Sequence, residues 1–244
     1  MCIAILNKKD LLPDEVIVNS WENNSHGGGL LWVENQELKV FKELKNLDVF
    51  LSTYKKVRAN TDSVILVHCR IATAGQVNKS NCHPFLNNDK TFGFIHNGMI
   101  TNLSDYNSEK SDTHKLRDII ANIKGIEISL DVFKEIMQGT FHKTFNKFIF
   151  LNNNNEYLII NEDSGVWEND NWFSNTSHKR SHFSGDYYSR NHNLFMRNKR
   201  ISLEKNLCEY CENPSTILKS YQGSFVCKKC YKELSCSYYD RYFL

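Results

Sequence analysis

The chain begins MCIAIL, with the thiol of Cys2 directly behind the initiator methionine. Methionine aminopeptidases remove Met when the next residue is small, and Cys qualifies. Removal would leave a thiol and a free α-amino group on one residue. That amine has an unperturbed pKa of about 8. It can therefore take the thiol proton near neutral pH, directly or through one water. A nucleophile at an N-terminus supplies its own general base in this way. The alternative reading is a small buried cysteine on a first strand.

Cysteine recurs at the other end. Of the eight cysteines, Cys208 and Cys211 form CEYC, and Cys227 and Cys230 form CKKC. Fifteen residues separate the pairs, a spacing that suits structural zinc better than disulfides in a chain without a secretory signal. Each pair can bring two thiolates to one tetrahedral Zn2+. Four thiolates leave no open position, so such a zinc would be structural. A redox pair is the alternative, and Cys236 lies outside the spacing. Tyr221 and Phe225 are candidates for the small core of a zinc ribbon or treble-clef-like module, which would depend on the metal to fold.

Between the two ends stand four polar segments: HCRIATAG (His68 to Gly75), NCHPF (Asn81 to Phe85), FIHNGMITN (Phe94 to Asn102) and SDT (Ser111 to Thr113). Taken singly, Arg70 could be a surface strand residue, Asp112 the first turn of a capped helix, and Asn97-Gly98 a hairpin turn. Their order, behind an N-terminal Met-Cys, resembles the class II glutamine amidotransferases, which are N-terminal-nucleophile hydrolases. NNSHGGG (Asn23 to Gly29) and NWFSNTS (Asn171 to Ser177) extend the resemblance over most of residues 2–178.

The resemblance implies an α+β, four-layer αββα fold and a set of roles. Cys2 would attack the side-chain amide of glutamine, form a γ-glutamyl thioester and release ammonia. The Asn97 amide and the Gly98 N–H would stabilise the oxyanion. Arg70 would hold the α-carboxylate and Asp112 the α-ammonium. Thr73 and Gly75 would shape the glutamine-binding strand. His83, like His96, would line the pocket as a support rather than a proton carrier. His114 stands where the family often has Glu, and Cys69 where Thr is common.

Apolar spacing supplies the elements that must position these groups. CIAIL, GGGLLWV, ELKVF, SVILVHCRI, TFGFIHNGMI, NKFIFL, EYLIIN and NWFSN read as strands, with a hairpin turn in the asparagine run 152–155. Leu47, Phe50, Leu51, Tyr54 and Val57 fall on one face of a helix. SDTHKLRDIIANI predicts a helix capped by Ser111, and SLDVFKEIMQ another. Residues 1–178 thus read as the amidotransferase domain, 179–206 as a basic polar linker, and 207–244 as the zinc-binding module.

Nothing after residue 178 is long enough for a synthase that would consume ammonia. The expectation is that ammonia goes to a separate partner enzyme. Alternatives are hydrolysis of a γ-glutamyl amide in a small metabolite, or an inactive adaptor. The linker, with Lys179, Arg180, Arg190, Arg197, Lys199 and Arg200 among aromatics, suits contact with nucleic acid, although a solvated linker explains the charges alone better. The formal net charge of +2 does not itself argue for nucleic acid. No run approaches the roughly 20 apolar residues of a membrane span, and no signal peptide precedes the domain, so a cytoplasmic location without membrane contact is expected.

Overall fold

The segment behind Cys2 forms β1 (Ile3–Asn7), whose five residues are all buried. In chain order there follow α1 (Asp14–Glu22), β2 (Gly28–Glu34), β3 (Glu37–Glu43), α2 (Leu47–Asn60), β4 (Ile65–Cys69), β5 (Phe85–Leu86), β6 (Phe92–Asn97), α3 (Asp112–Ala121), α4 (Leu130–Phe141), β7 (Lys147–Asn152), β8 (Tyr157–Ile160), β9 (Val166–Glu168) and β10 (Asn171–Phe173). The computed structural model describes residues 2–105, 107–121, 130–179, 206–207, 214–215, 218–221 and 224–229. The chain divides into two units, Met1–Ser184 and Gly185–Leu244.

In the first unit two antiparallel sheets form. One has the order β3-β2-β4-β1-β10-β9 and the other β5-β6-β7-β8. Successive residues of a strand face opposite sides, and β1 shows the consequence. Ile3 and Ile5 pack with Ile17, Trp21, Phe50 and Tyr54 from α1 and α2. Ala4 and Leu6 pack with Ile95, Ile149, Leu151 and Ile159 of the other sheet. That second sheet turns Phe94, Phe148, Phe150 and Ile160 toward Leu116, Ile120, Met137 and Phe141 of α3 and α4. The unit is therefore layered helix, sheet, sheet, helix. β1 and β4 are buried on both faces, which is why they read as continuous apolar runs rather than alternating ones.

The predicted helix over Leu47 to Val57 is α2. Asn46 caps it by accepting the Val49 N–H at 3.0 Å. Ser111 caps α3 by accepting the His114 N–H at 3.1 Å. The β2–β3 hairpin turns through Asn35 and Gln36, both at positive φ (52° and 60°), the geometry that matches strand twist. Helix α1 is an element the periodicity did not reveal. It is nine residues long and rich in Val, Ile and Asn, which are weak helix formers. Its start at Pro13-Asp14-Glu15 is the only local signal. Tertiary packing of Ile17 and Trp21 decides it.

One expectation needs correction. Thr73 and Gly75 are not on a strand: β4 ends at Cys69, and both lie in the loop that follows.

The second unit shows two short antiparallel pairs. Asn206–Leu207 (β11) pairs with Pro214–Ser215 (β12), and Leu218–Tyr221 (β13) with Ser224–Cys227 (β14). Cys208 and Cys211 fall between β11 and β12 in sequence. Cys208, Cys211 and Cys230 lie outside the described residues, as does most of the 179–206 linker. Among the described residues no group of three or more His, Cys, Asp or Glu is placed to hold a metal, and no helix is long and apolar enough to cross a membrane.

Candidate active site

Strand β1 delivers Cys2 to the loop after β4. The Cys2 thiol donates to the Ile71 carbonyl and the Ile71 N–H donates to the sulfur, each at 3.3 Å. Burial raises the thiol pKa above its ordinary value. The hydrogen bond to Ile71 and the Arg70 charge oppose that rise, and Asp112 adds to it. The resting group is thus a thiol, and it needs a base to become a nucleophile.

Arg70 is only 3% exposed. Its guanidinium donates to the carbonyls of Ala74 at 2.9 Å and Gln76 at 3.1 Å, folding the 71–76 loop back over itself. Among the described residues no carboxylate pairs with Arg70. Asp112, 7% exposed, stands in the mirror situation. Its Oδ2 accepts the Ile100 N–H at 2.7 Å and its Oδ1 accepts the Thr113 N–H at 2.8 Å, yet among the described residues no cation pairs with it. Burying an unpaired charge is costly. Here an unpaired guanidinium and an unpaired carboxylate lie close enough to Cys2 that both act on its pKa. That arrangement is complementary to a zwitterion.

Asn97 ends β6 and is 2% exposed; its Nδ2 donates to Ser174 Oγ at 2.8 Å. The hairpin alternative for Asn97-Gly98 does not hold, because β6 pairs with β5 and β7 while the chain after Gly98 runs into a 3-10 turn at Thr101–Leu103. Gly98 sits at φ +156°, where a Cβ would meet Asn146 Oδ1 at 2.4 Å and Asn146 Cα at 2.7 Å. Gly75, at φ +70°, would place a Cβ 2.5 Å from the Ser111 backbone nitrogen. Gly75 thus lets the loop lie against the start of α3. Thr73 is exposed and lines an open cavity of about 350 Å³ with Ala72, Gly75 and Asn107 to Glu109.

His83 does not join the charged groups. It is buried between the sheets, its ring 3.9 Å from that of His68 and 4.9 Å from that of Phe85, with neither nitrogen hydrogen-bonded among the described residues. His68 reaches the His96 carbonyl at 3.0 Å. His96 Nε2 lies 2.9 Å from Asn146 Oδ1 and its Nδ1 lies 2.8 Å from Thr113 Oγ1. An amide oxygen only accepts, so Nε2 carries the proton and Nδ1 accepts from the Thr113 hydroxyl. His96 thereby links the Asn97-Gly98 turn to the Asp112-Thr113 turn. Burial lowers the pKa of all three histidines, to about 3 for His68, so the cluster is neutral.

Several ties were not legible beforehand. Asn81, fully buried, donates to the Gln76 and Glu109 carbonyls at 3.0 and 2.6 Å and accepts the Ser111 N–H at 3.0 Å. It holds the Arg70 loop against the Asp112 turn. His26 Nδ1 accepts the Ala72 N–H at 2.8 Å. Gly29 makes room for the chain at His83, since a Cβ there would lie 2.0 Å from the His83 carbonyl oxygen. Both fall in the glycine-rich stretch, which was the only hint of them.

Residues 19–115 match the family described as Glutamine amidotransferases class-II. The match includes Arg70, Asn97, Gly98 and Asp112 and stops short of Cys2. A Haemophilus influenzae protein described as a glutamine amidotransferase is 26% identical over 155 residues, 56% of this chain and 51% of that protein. The glutamine–fructose-6-phosphate aminotransferase (isomerizing) of Clostridium perfringens is 32% identical over 81 residues, 31% of this chain and 13% of that enzyme. The chain thus spans about half the length of the first relative and a small part of the second. Glutamine phosphoribosylpyrophosphate amidotransferase of B. subtilis overlaps 71% of this chain and 41% of its own at 13% identity, with a TM-score of 0.40, too loose a superposition to carry an assignment. The sequence match stands without it: residues 19–115 are similar to the class II glutamine amidotransferases.

Proposed function

We propose that the first unit hydrolyses the side-chain amide of glutamine through Cys2 and that a separate enzyme takes up the ammonia. The observation that carries this reading is the unpaired Arg70 and Asp112 beside the Cys2 thiol. A guanidinium and a carboxylate left without partners suit the α-carboxylate and α-ammonium of a free amino acid. Once Met1 is removed, the Cys2 amine accepts the thiol proton. The sulfur attacks the amide carbon, and the negative charge that develops on oxygen faces the Asn97 amide and the Gly98 N–H. Each such donor is commonly worth about 3 kcal/mol of barrier. Collapse breaks the C–N bond, and the departing nitrogen takes the proton from the Cys2 ammonium. Water, deprotonated by the same amine, then cleaves the thioester to glutamate.

The test is ammonia release from L-glutamine, N-acetylglutamine and glutamine α-methyl ester. Removing either head-group charge leaves Arg70 or Asp112 buried and unpaired, so kcat/KM is expected to fall by at least about 100-fold for both analogues. Equal turnover of all three would overturn the zwitterion reading. A γ-glutamyl compound with a substituted amide presents the same head group, and competition between glutamine and γ-glutamylethylamide separates the two substrates.

The second unit is read as a structural zinc module with Cys208, Cys211, Cys227 and Cys230 as ligands, on the support of their spacing. Elemental analysis of the purified protein is expected to find one zinc per chain, and Cys208→Ser with Cys227→Ser is expected to lose it. Protein free of zinc after purification without chelator would count against the module. Contact between the basic linker and nucleic acid rests on composition alone.

A further inference from the structure

Ser174 is 1% exposed and lies where β10 leaves the sheet. Its N–H donates to the Ala4 carbonyl at 2.9 Å, which continues the register that pairs Ile5 with Phe173. The Ala4 N–H answers to the side chain: it donates to Ser174 Oγ at 2.9 Å. The same Oγ accepts from Asn97 Nδ2 at 2.8 Å. The next residue, Asn175, donates from Nδ2 to the Cys2 carbonyl at 2.8 Å. One hydroxyl therefore joins the strand that carries the nucleophile, in one sheet, to the amide that ends β6, in the other.

The orientation of that amide matters. An asparagine side chain has a broad, roughly two-fold torsion about its last bond, so an unrestrained Asn97 could turn either its NH2 or its oxygen toward the reacting carbonyl. An NH2 stabilises a developing oxyanion, whereas an amide oxygen repels it. A hydroxyl has two acceptor lone pairs, and on Ser174 one is held by Ala4 and the other by Asn97. With one Nδ2 hydrogen engaged there, the amide is registered and its second N–H is left for the site.

We propose that Ser174 is a positioning residue for the glutaminase step, setting the Asn97 amide in its donor orientation. This rests on the reading of Cys2 and Asn97 given above. Asn97 would touch the oxyanion; Ser174 would act through it. Because Arg70 and Asp112 hold the amino-acid head, the effect of Ser174 should fall on turnover and spare substrate binding.

The experiment compares the full-length protein with Ser174→Ala and Ser174→Thr in steady-state ammonia release from glutamine. Alkylation of Cys2 by iodoacetamide is followed by peptide mass spectrometry in parallel. Alkylation needs the thiol and its strand in place and uses no oxyanion donor. Ser174→Ala is expected to lower kcat about 10- to 100-fold, part of the loss seen when an oxyanion donor is deleted. KM should stay within about threefold and the Cys2 alkylation rate should be unchanged. Ser174→Thr, which keeps the hydroxyl, is expected to recover most of kcat. An alanine variant with wild-type kcat overturns the inference. So does one in which kcat and Cys2 alkylation fall together, because Ser174 would then merely hold the strand. A wild-type protein that releases no ammonia overturns the glutaminase reading itself, a distinct failure from an active wild type matched by an equally active Ser174→Ala.

Discussion

Replacing Cys2 by alanine is expected to reduce ammonia release from glutamine by at least about 1,000-fold while leaving the fold intact. The size follows from the role. Loss of a covalent nucleophile removes the thioester route altogether, and only the residual effect of binding and oxyanion donors remains. The fold should persist because the Cys2 side chain makes only a weak reciprocal contact with Ile71 among the described residues, while β1 is held by its ladders to β4 and β10 and the Asn175 bond to the Cys2 carbonyl does not depend on the thiol. Circular dichroism and glutamine-dependent ammonia release on the same preparation check both parts. A Cys2→Ala protein that releases ammonia at the wild-type rate would remove Cys2 from the chemistry.

The second large effect is on stability. His68, His83 and His96 are buried and held neutral, each with a pKa below the ordinary value of 6.5 because burial disfavours the charged ring. The unfolded chain binds protons at these histidines from about pH 6.5 downward, whereas the folded protein does not until far lower, near pH 3 at His68. A lowered histidine pKa therefore contributes stability that is present above 6.5 and lost as the pH falls. Each such group contributes a slope of up to about 1.4 kcal/mol per pH unit, and three together up to about 4. A domain at the low end of ordinary stability, about 5 kcal/mol, should then unfold near pH 5. Urea unfolding at pH 7, 6 and 5 is the measurement, and the midpoint should fall steeply through that series. His83→Phe should flatten the fall without abolishing it, because among the described residues His83 makes no hydrogen bond that phenylalanine would lose, while His68, His96 and His114, whose pKa is also lowered by burial, remain. An unfolding midpoint constant from pH 7 to 5 would mean that the three rings are not held neutral. Glu43, Asp118 and Glu168, whose pKa values are lowered, lose their contribution only below about pH 4.5 and leave this window clear.

How much of this could be read beforehand depended on how local the signal was. The two-sided burial of β1 and β4 showed in their apolar runs, and the caps at Asn46 and Ser111 in residue type and spacing. Cys2, Arg70, Asn97, Gly98 and Asp112 stood out because they are polar or glycine residues that flank apolar strands or open a helix, in an order shared with a known family. The loop after Arg70 carries no strand-ending signal in its residue types, because it is held by the Arg70 side chain reaching its own downstream carbonyls, and no strand pattern records that. Ser174 escaped notice for a stronger reason. Its partners Ala4 and Asn97 lie 170 and 77 residues away, and only the stacking of two sheets brings them to one hydroxyl. Asn81 is similar: it read as part of a motif, but its work in joining two loops is visible only in three dimensions.

The central claim is that Cys2 becomes the N-terminus and acts as the nucleophile. The most direct test is the intact mass of the protein purified from cells, before and after treatment with the glutamine analogue 6-diazo-5-oxo-norleucine. The predicted result is a mass lacking Met1 and one covalent adduct, mapped to Cys2 and prevented by excess glutamine. A mass that retains Met1, with no adduct at Cys2, would contradict it.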